Sequence, residues 1–325
     1  MGAISDLHWA SGPRRATVGG LVRVWIALWT VYLVWGSTYL AIRYLVETIP
    51  ALLGSGLRFF TAGVLLSAFL VVRGGWAAMR VTRAELAGCA VVGCALLLGG
   101  NGLVAVSENL GTPSGVAALI VATVPLWVVA FRRATGEHVT LSTLLWVLAG
   151  FAGVALLLLP GDRPEGATIG GILILVCAAF SWASGSFASG RLVRVPSSPL
   201  RSNAWQMLCG GGAMVLVGLL AGEGGDVHPA QFSGRSIAAF AYLVVAGSLI
   251  AYTAYVWLLQ NAPISQVATY AYVNPVVAIA LGAVFVDEEL TPVVIGAAAI
   301  IAASVAGTIG GQRAAARQPA ASPDE

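Results

Sequence analysis

From residue 22 onward, apolar runs about as long as a membrane is thick alternate with short polar links. Crossing the hydrocarbon core as a helix takes about 20 apolar residues. That ruler marks ten segments: 22–43, 51–72, 86–107, 113–131, 141–159, 169–190, 200–221, 236–259, 263–285 and 292–310. The links carry turn residues, as in Arg73-Gly74-Gly75, Pro160-Gly161-Asp162, Pro196-Ser197-Ser198-Pro199 and Gly222 to Gly225. Residues 1–20 are polar, with no short apolar core followed by a cleavage site, which predicts a cytoplasmic amino-terminal tail and an uncleaved first helix. Residues 312–325 are expected to form a disordered cytoplasmic tail.

The pattern repeats. Two segments hold prolines twelve positions apart, Pro113 with Pro125 and Pro263 with Pro275 (125 − 113 = 275 − 263 = 12). Proline removes a backbone donor and crowds the preceding turn, so a membrane helix keeps one in mid-span only where neighbours or a wet cavity satisfy the freed carbonyl. Trp35-Gly36-Ser37 meets Trp182-Ala183-Ser184 at an offset of 147, and Pro125 meets Pro275 at 150. Gly136-Glu137-His138-Val139-Thr140 meets Asp287-Glu288-Glu289-Leu290-Thr291 at 151. The chain therefore divides into two units, 21–160 and 161–311, each of five helices. Five is odd, so the second unit enters from the opposite side. The expected fold is an all-α membrane protein with ten transmembrane helices, arranged as two inverted five-helix repeats around a central cavity. Such an architecture lets one carrier open to either face. Pro125 and Pro275 are then candidate gating positions in two equivalent broken helices.

Composition agrees with the pattern. With 58% hydrophobic and 10% charged residues and a mean hydropathy of +0.88, a chain of 325 residues has too little polar surface for a soluble domain. All 17 basic residues are arginine, and the net charge of +3 says less than their placement. With the amino terminus inside, thirteen arginines fall in inner segments and only Arg43, Arg163 and Arg235 outside, while Arg58 lies within a span. That bias places both termini in the cytoplasm. Cys89, Cys94, Cys177 and Cys209 all sit in apolar spans with no CxxC pair, so buried structural thiols are expected, and neither a metal site nor a cofactor is implied.

Several stretches resemble the EamA-type proteins of the drug/metabolite transporter superfamily, and within them the YedA-type inner-membrane permeases. They are Trp35-Gly36-Ser37-Thr38-Tyr39-Leu40-Ala41-Ile42-Arg43, Gly56-Leu57-Arg58-Phe59 with Ala62-Gly63, and Gly100-Asn101-Gly102 with Ser107-Glu108-Asn109. Pro113-Ser114-Gly115, Val121 to Leu126, and Tyr270-Ala271-Tyr272-Val273-Asn274-Pro275-Val276 complete the set, and the likeness runs from about residue 24 to 310. The resemblance implies a ten-helix carrier whose central cavity is lined mainly by helices one, three, four, six, eight and nine. Its substrates vary widely, so it implies the fold more sharply than the cargo.

Arg58 is the strongest single candidate. It lies seven residues into its span, roughly 10 Å below the outer end at 1.5 Å per residue. A charge at that depth faces the bundle interior, paired or wetted. It reads as an anchor for a substrate carboxylate, as a structural partner of Glu108 or Glu47, or as an arginine snorkelling outward. Glu108 closes the third span as a proton-coupling carboxylate, a partner of Arg58, or a solvated span end. Arg43 and Glu47 are expected to be solvated, and Glu137, Glu288 and Glu289 to cap the helices that follow them. Trp35, Tyr39, Trp182, Tyr252, Tyr255, Tyr270 and Tyr272 fall near mid-span, with Ser37, Ser184, Asn101 and Asn274 as polar companions. These are the candidate cavity wall for amphipathic or aromatic cargo, with helix packing as the competing explanation. Ala299, Ala303, Gly307 and Gly311 recur every four positions and predict packing of the tenth helix on the fifth, so a monomer is favoured over a homodimer.

Three classes of function stand against this pattern. An intramembrane enzyme would need a catalytic set, yet His8, His138 and His228 fall in tails or loops, and no HExxH, GxSxG or Walker sequence occurs. A channel or receptor is the second class. The expected function is the third: a secondary carrier of small organic solutes in the cytoplasmic membrane, with export the leading direction. Its partners would be the small-molecule substrate and the lipid bilayer, with no nucleic acid and with a proton as candidate coupling ion.

Overall fold

The computed structural model describes residues 18–137, 139–156, 166–262, 267 and 269–317, and all regular structure among them is helical. α1 (Val18–Val46) and α2 (Ala51–Gly74) open the chain. α3 (Arg83–Gly93) passes through a π-helical segment, Cys94–Gly102, into α4 (Leu103–Asn109) without leaving the helical path. α5 (Ser114–Val121) and α6 (Val124–Ala134) are two pieces of one span, and α7 is Leu141–Leu156. α8 (Ile169–Arg191) and α9 (Pro199–Leu220) follow. α10 (Gly234–Tyr242) runs through a second π-helical segment, Leu243–Ala251, into α11 (Tyr252–Asn261). α12 is Tyr270–Phe285 and α13 is Pro292–Arg317, so residues 312–317, expected in a disordered tail, are helical.

Among the described residues, seven helical stretches are long and apolar enough to cross a membrane, and three shorter apolar helices, Leu141–Leu156, Val273–Phe285 and Pro292–Thr308, accompany them. Their outward faces carry large apolar side chains, among them Trp25, Ile26, Trp29 and Leu33 on α1 and Phe60, Val64, Phe69 and Val72 on α2. Water would penalise that surface, whereas lipid is its natural solvent. Cys89 is buried as expected, but Cys177 is exposed on this apolar exterior, and all four cysteines are free thiols.

Inside, the helices pair across the two halves of the chain. α2 packs along α9 and α7 along α13; α1 lies against α10, α11 and α12, while α8 lies against α3, α4, α5 and α6. Lipid tails are as apolar as leucine, so close approach and dispersion, rather than water exclusion, hold such helices together. The α2–α9 seam shows how close: a Cβ on Gly211 would sit 2.6 Å from the Phe60 nitrogen and 3.0 Å from the Gly56 oxygen. In the α7–α13 pair, a Cβ on Gly307 would collide with the Trp146 ring, and the Ser304 hydroxyl donates to the Trp146 carbonyl. The expected pairing of tenth and fifth helices is present, but its face only partly follows the anticipated stripe. Ala299 and Ala303 are exposed, and Ile301, Ser304 and Gly307 make the contact.

The two proline helices also differ. Pro125 stands in the first turn of α6, where its missing N–H costs no bond, and the helix breaks just before it at Ala122 and Thr123. Pro275 instead lies inside the continuous helix α12. Asn274, in the amide orientation that suits its surroundings, donates to the Tyr270 carbonyl at 3.3 Å and to the Tyr32 carbonyl at 3.2 Å, which supports the loosened turn. The two prolines are therefore not equivalent breaks. Pro263 lies outside the described residues.

Gly211→Val should fail at the α2–α9 seam. Overpacking typically costs about 1–3 kcal/mol, and here the obstacle is backbone that cannot rotate away. A lower melting temperature in detergent is expected, against no change for Val72→Ala on the lipid face.

Candidate functional site

The matched helices cross around one cavity of about 70 Å³. Helical periodicity explains most of its wall. α1 presents Trp35, Thr38, Tyr39 and Ile42 at the i, i+3, i+4 and i+7 spacing of a single face. The first π-helical segment and α4 repeat that spacing with Leu97, Gly100, Asn101 and Val104. α8 contributes Ala178 and Trp182, α12 contributes Tyr270 and Asn274, and Val121 and Val124 flank the break between α5 and α6. α2 adds Arg58 and Phe59, a wall beyond the six helices implied by the family resemblance.

Trp35 is the centre of the aromatic part. Its ring lies 4.9 Å from Tyr255, 5.5 Å from Tyr270, 6.0 Å from Tyr252 and 6.3 Å from Trp182, centroid to centroid. The Tyr270 and Trp182 contacts are edge-to-face, a geometry the ring quadrupoles favour. The polar tips are tethered: Trp35 Nε1 donates to the Gly247 carbonyl at 3.3 Å, and the Tyr252 hydroxyl donates to Gln206 Oε1 at 3.3 Å. Both π-helical segments are braced this way from the other half of the chain, since Ser181 Oγ on α8 donates to the Ala95 carbonyl at 2.9 Å.

Arg58 is 3% exposed and lines the cavity. Its Nη2 donates to Asn101 Oδ1 at 3.3 Å, and its guanidinium carbon stands 4.1 Å from the centroid of the Phe59 ring. Nε and Nη1 have no partner among the described residues. A hydrogen bond to a charged group is worth about 1.5–3 kcal/mol, and a desolvated cation–π contact about 2. Removing one ion from water costs several kcal/mol even after relaxation, comparable with what these contacts return, which leaves the unmatched Nε and Nη1 donors as a residual cost. Glu108 is fully buried, and neither carboxylate oxygen has a partner among the described residues. It is not a solvated span end, and no ion pair joins it to Arg58 among the described residues.

The remaining candidates are distributed as follows. Tyr255 packs behind Trp35 and Tyr270 rather than on the wall. Ser37 bonds the Val34 carbonyl and the Tyr242 hydroxyl, and Ser184 bonds the Phe180 carbonyl, so both hydroxyls are used within the bundle. The Tyr272 side chain lies outside the described residues. Arg43, expected to be solvated, donates from Nη1 to the Glu108 carbonyl at 3.0 Å, while Glu47 meets Arg235 at 3.6 Å. The acidic residues after the fourth and ninth spans do not cap the helices that follow. Thr140 and Thr291 do that, accepting from the Thr143 and Val294 nitrogens. Glu288 reaches back across the chain to the Ser114 and Gly115 nitrogens of α5, at 2.6 and 3.0 Å, while Glu137 pairs with Arg132 and Arg191. Glu289 is exposed.

Thr38, Ile42, Leu97, Gly100, Val104 and Ala178 were not among the sequence candidates. All but Gly100, which adjoins Asn101, lie three, four or seven positions from a residue that was, so helical spacing would have found them.

The EamA-like transporter family model matches residues 24–159 and again 169–310. The chain is 39% identical over 267 residues to the uncharacterized inner membrane transporter YedA of Escherichia coli (strain K12), covering 82% of this chain and 84% of that protein. It is 25% identical over 284 residues to a protein of Salmonella typhimurium named probable amino-acid metabolite efflux pump, covering 85% of this chain and 91% of that one. A crystal structure aligns over 88% of this chain and 96% of its own with a TM-score of 0.62 at 23% identity, a likeness of fold.

Arg58→Met separates a working charge from a structural one. If the guanidinium is not needed for folding, an apolar side chain of similar length should hold or raise the melting temperature, as replacement of buried charges often does. A fall of more than a few degrees would mark Arg58 as a structural partner.

Proposed function

The chain belongs to the EamA-like transporter family, and on that premise we propose that it is a secondary carrier that moves small organic solutes across the cytoplasmic membrane by alternating access. It does so with ten spanning segments in two five-helix units of opposite orientation. The observation that carries the reading is the central cavity, walled by aromatic rings and one buried guanidinium where helices of both halves cross. The π-helical segments support the repeat, since they begin at residues 94 and 243 (243 − 94 = 149), close to the offset of the sequence motifs. The packing supports it too, with α1 set against α10, α11 and α12 much as α8 is set against α3, α4, α5 and α6.

Contacts between segment ends favour the alternation of ten crossings. The ends of the fourth and sixth segments meet through Glu137 and Arg191, and Arg201 at the start of the seventh reaches the Arg80 carbonyl after the second. Elsewhere the start of the second segment meets the end of the seventh through Leu52 and Glu223, and the start of the fourth meets the end of the ninth through Ser114 and Glu288. These are the partnerships expected if the first set lies on one face and the second set on the other. The arginine bias makes the first set cytoplasmic, with both termini on that side.

In this reading Trp35, Tyr39, Arg58, Asn101, Trp182, Tyr252, Tyr270 and Asn274 contact the solute, and Pro125 and Pro275 lie in the segments that gate it. Export is the favoured direction, by analogy with the Salmonella relative's name. A proton is the candidate coupling ion, with Glu108 as its site, and the working unit is a monomer.

Reconstituted protein should give saturable flux with counterflow for at least one solute enriched or depleted in cells that lack the gene. Unsaturable flux would indicate a channel instead. Single cysteines at Arg132 and Asp287 should react from opposite sides of the membrane, and labelling from one side would remove the inverted repeat. Glu108→Gln should abolish the acceleration of flux by an imposed proton gradient; acceleration that persists excludes this carboxylate as the coupling site.

A further inference from the structure

Resting on the carrier reading, we propose that the solute is a monoanionic carboxylate with an apolar or aromatic body, its carboxylate on Arg58 and its body against Trp35, Trp182 and Tyr270. Arg58 is the one formally charged side chain on the described cavity wall, which holds no aspartate, glutamate or histidine. One of its nitrogens is used by Asn101, while Nε and Nη1 have no acceptor among the described residues. The planar guanidinium fork matches a carboxylate, and a single such group neutralises a single negative charge. A phosphate ester with nearly two charges would lack a second cation on this wall. An amine would meet like charge in a site of low dielectric, and an amino acid would bring an ammonium with no carboxylate on the described wall to receive it. The rest of the described wall is predominantly apolar and aromatic, which fits a hydrocarbon or phenyl body rather than a sugar.

The test is a head-group series on one body, titrated by quenching of intrinsic tryptophan fluorescence in wild-type protein held in lipid nanodiscs. The probes are 3-phenylpropionate, 3-phenylpropanol, 3-phenylpropylamine, phenylalanine and 3-phenylpropyl phosphate. The carboxylate should bind at least about tenfold more tightly than each of the others, a gap of about 1.4 kcal/mol. Arg58→Gln should lower its affinity to that of the alcohol, and Arg58→Lys should recover part of the loss. Equal affinity across the series, preference for the amine, amino acid or phosphate, or no binding by any probe overturns the assignment. So does a carboxylate preference that survives in Arg58→Gln. The wild-type series stands even if a variant fails to fold. Counterflow of a cell-derived solute alongside such a result would leave the carrier reading intact, whereas absence of counterflow for every solute would remove that reading as well.

Discussion

Inside a bilayer no water is available to satisfy an interrupted backbone, so every place where this bundle departs from plain α-helix must find its partner within the protein. The start of α2 receives the Glu223 carboxylate at the Leu52 and Leu53 nitrogens, and the start of α5 receives Glu288 at Ser114 and Gly115. The widened turns of the π-helical segments are met by Ser181 at Ala95 and by Trp35 at Gly247. In each case the donor or acceptor comes from the other half of the chain. The requirement to satisfy the backbone is thus also what stitches the halves together.

The same requirement shapes the cavity. Trp35 serves two purposes, since its indole nitrogen holds one π-helical segment while its ring organises the tyrosines and Trp182. Asn274 likewise supports the turn before Pro275 and borders the cavity. Arg58 differs from both. It gives one hydrogen bond to its surroundings and keeps donors with no partner among the described residues, which is poor economy for a purely structural residue. That imbalance is why the site is read from its charge rather than from its rings.

Much of this was legible in the sequence because hydropathy and charge act locally. The apolar runs, the offset near 150, and the oddity of an arginine seven residues into a span required no knowledge of contacts. The destination of Glu288 was hidden because its partners, the Ser114 and Gly115 nitrogens, lie more than 170 positions away (288 − 114 = 174). A carboxylate four residues before a helix looks like a cap for that helix, and Thr291 does the work instead. Pro275 misled for a related reason: only its neighbour Asn274, reaching Tyr270 and Tyr32, shows that the helix can continue past it. The π-helical segments had no periodic signature, since one extra residue per turn leaves an apolar run looking the same.

The fastenings at Glu288 and Glu137 differ in kind although they sit at matching places in two similar sequence motifs. Glu288 binds neutral backbone amides at the head of a helix, whereas Glu137 is held by Arg132 and Arg191, which are 32% and 44% exposed. Dissolved salt screens exposed ion pairs far more than a partly buried amide clasp. On the proposed alternating-access reading, the two postures would be held by unlike locks, and ionic strength would be a lever on their ratio, setting what fraction of the population is ready to accept a passenger.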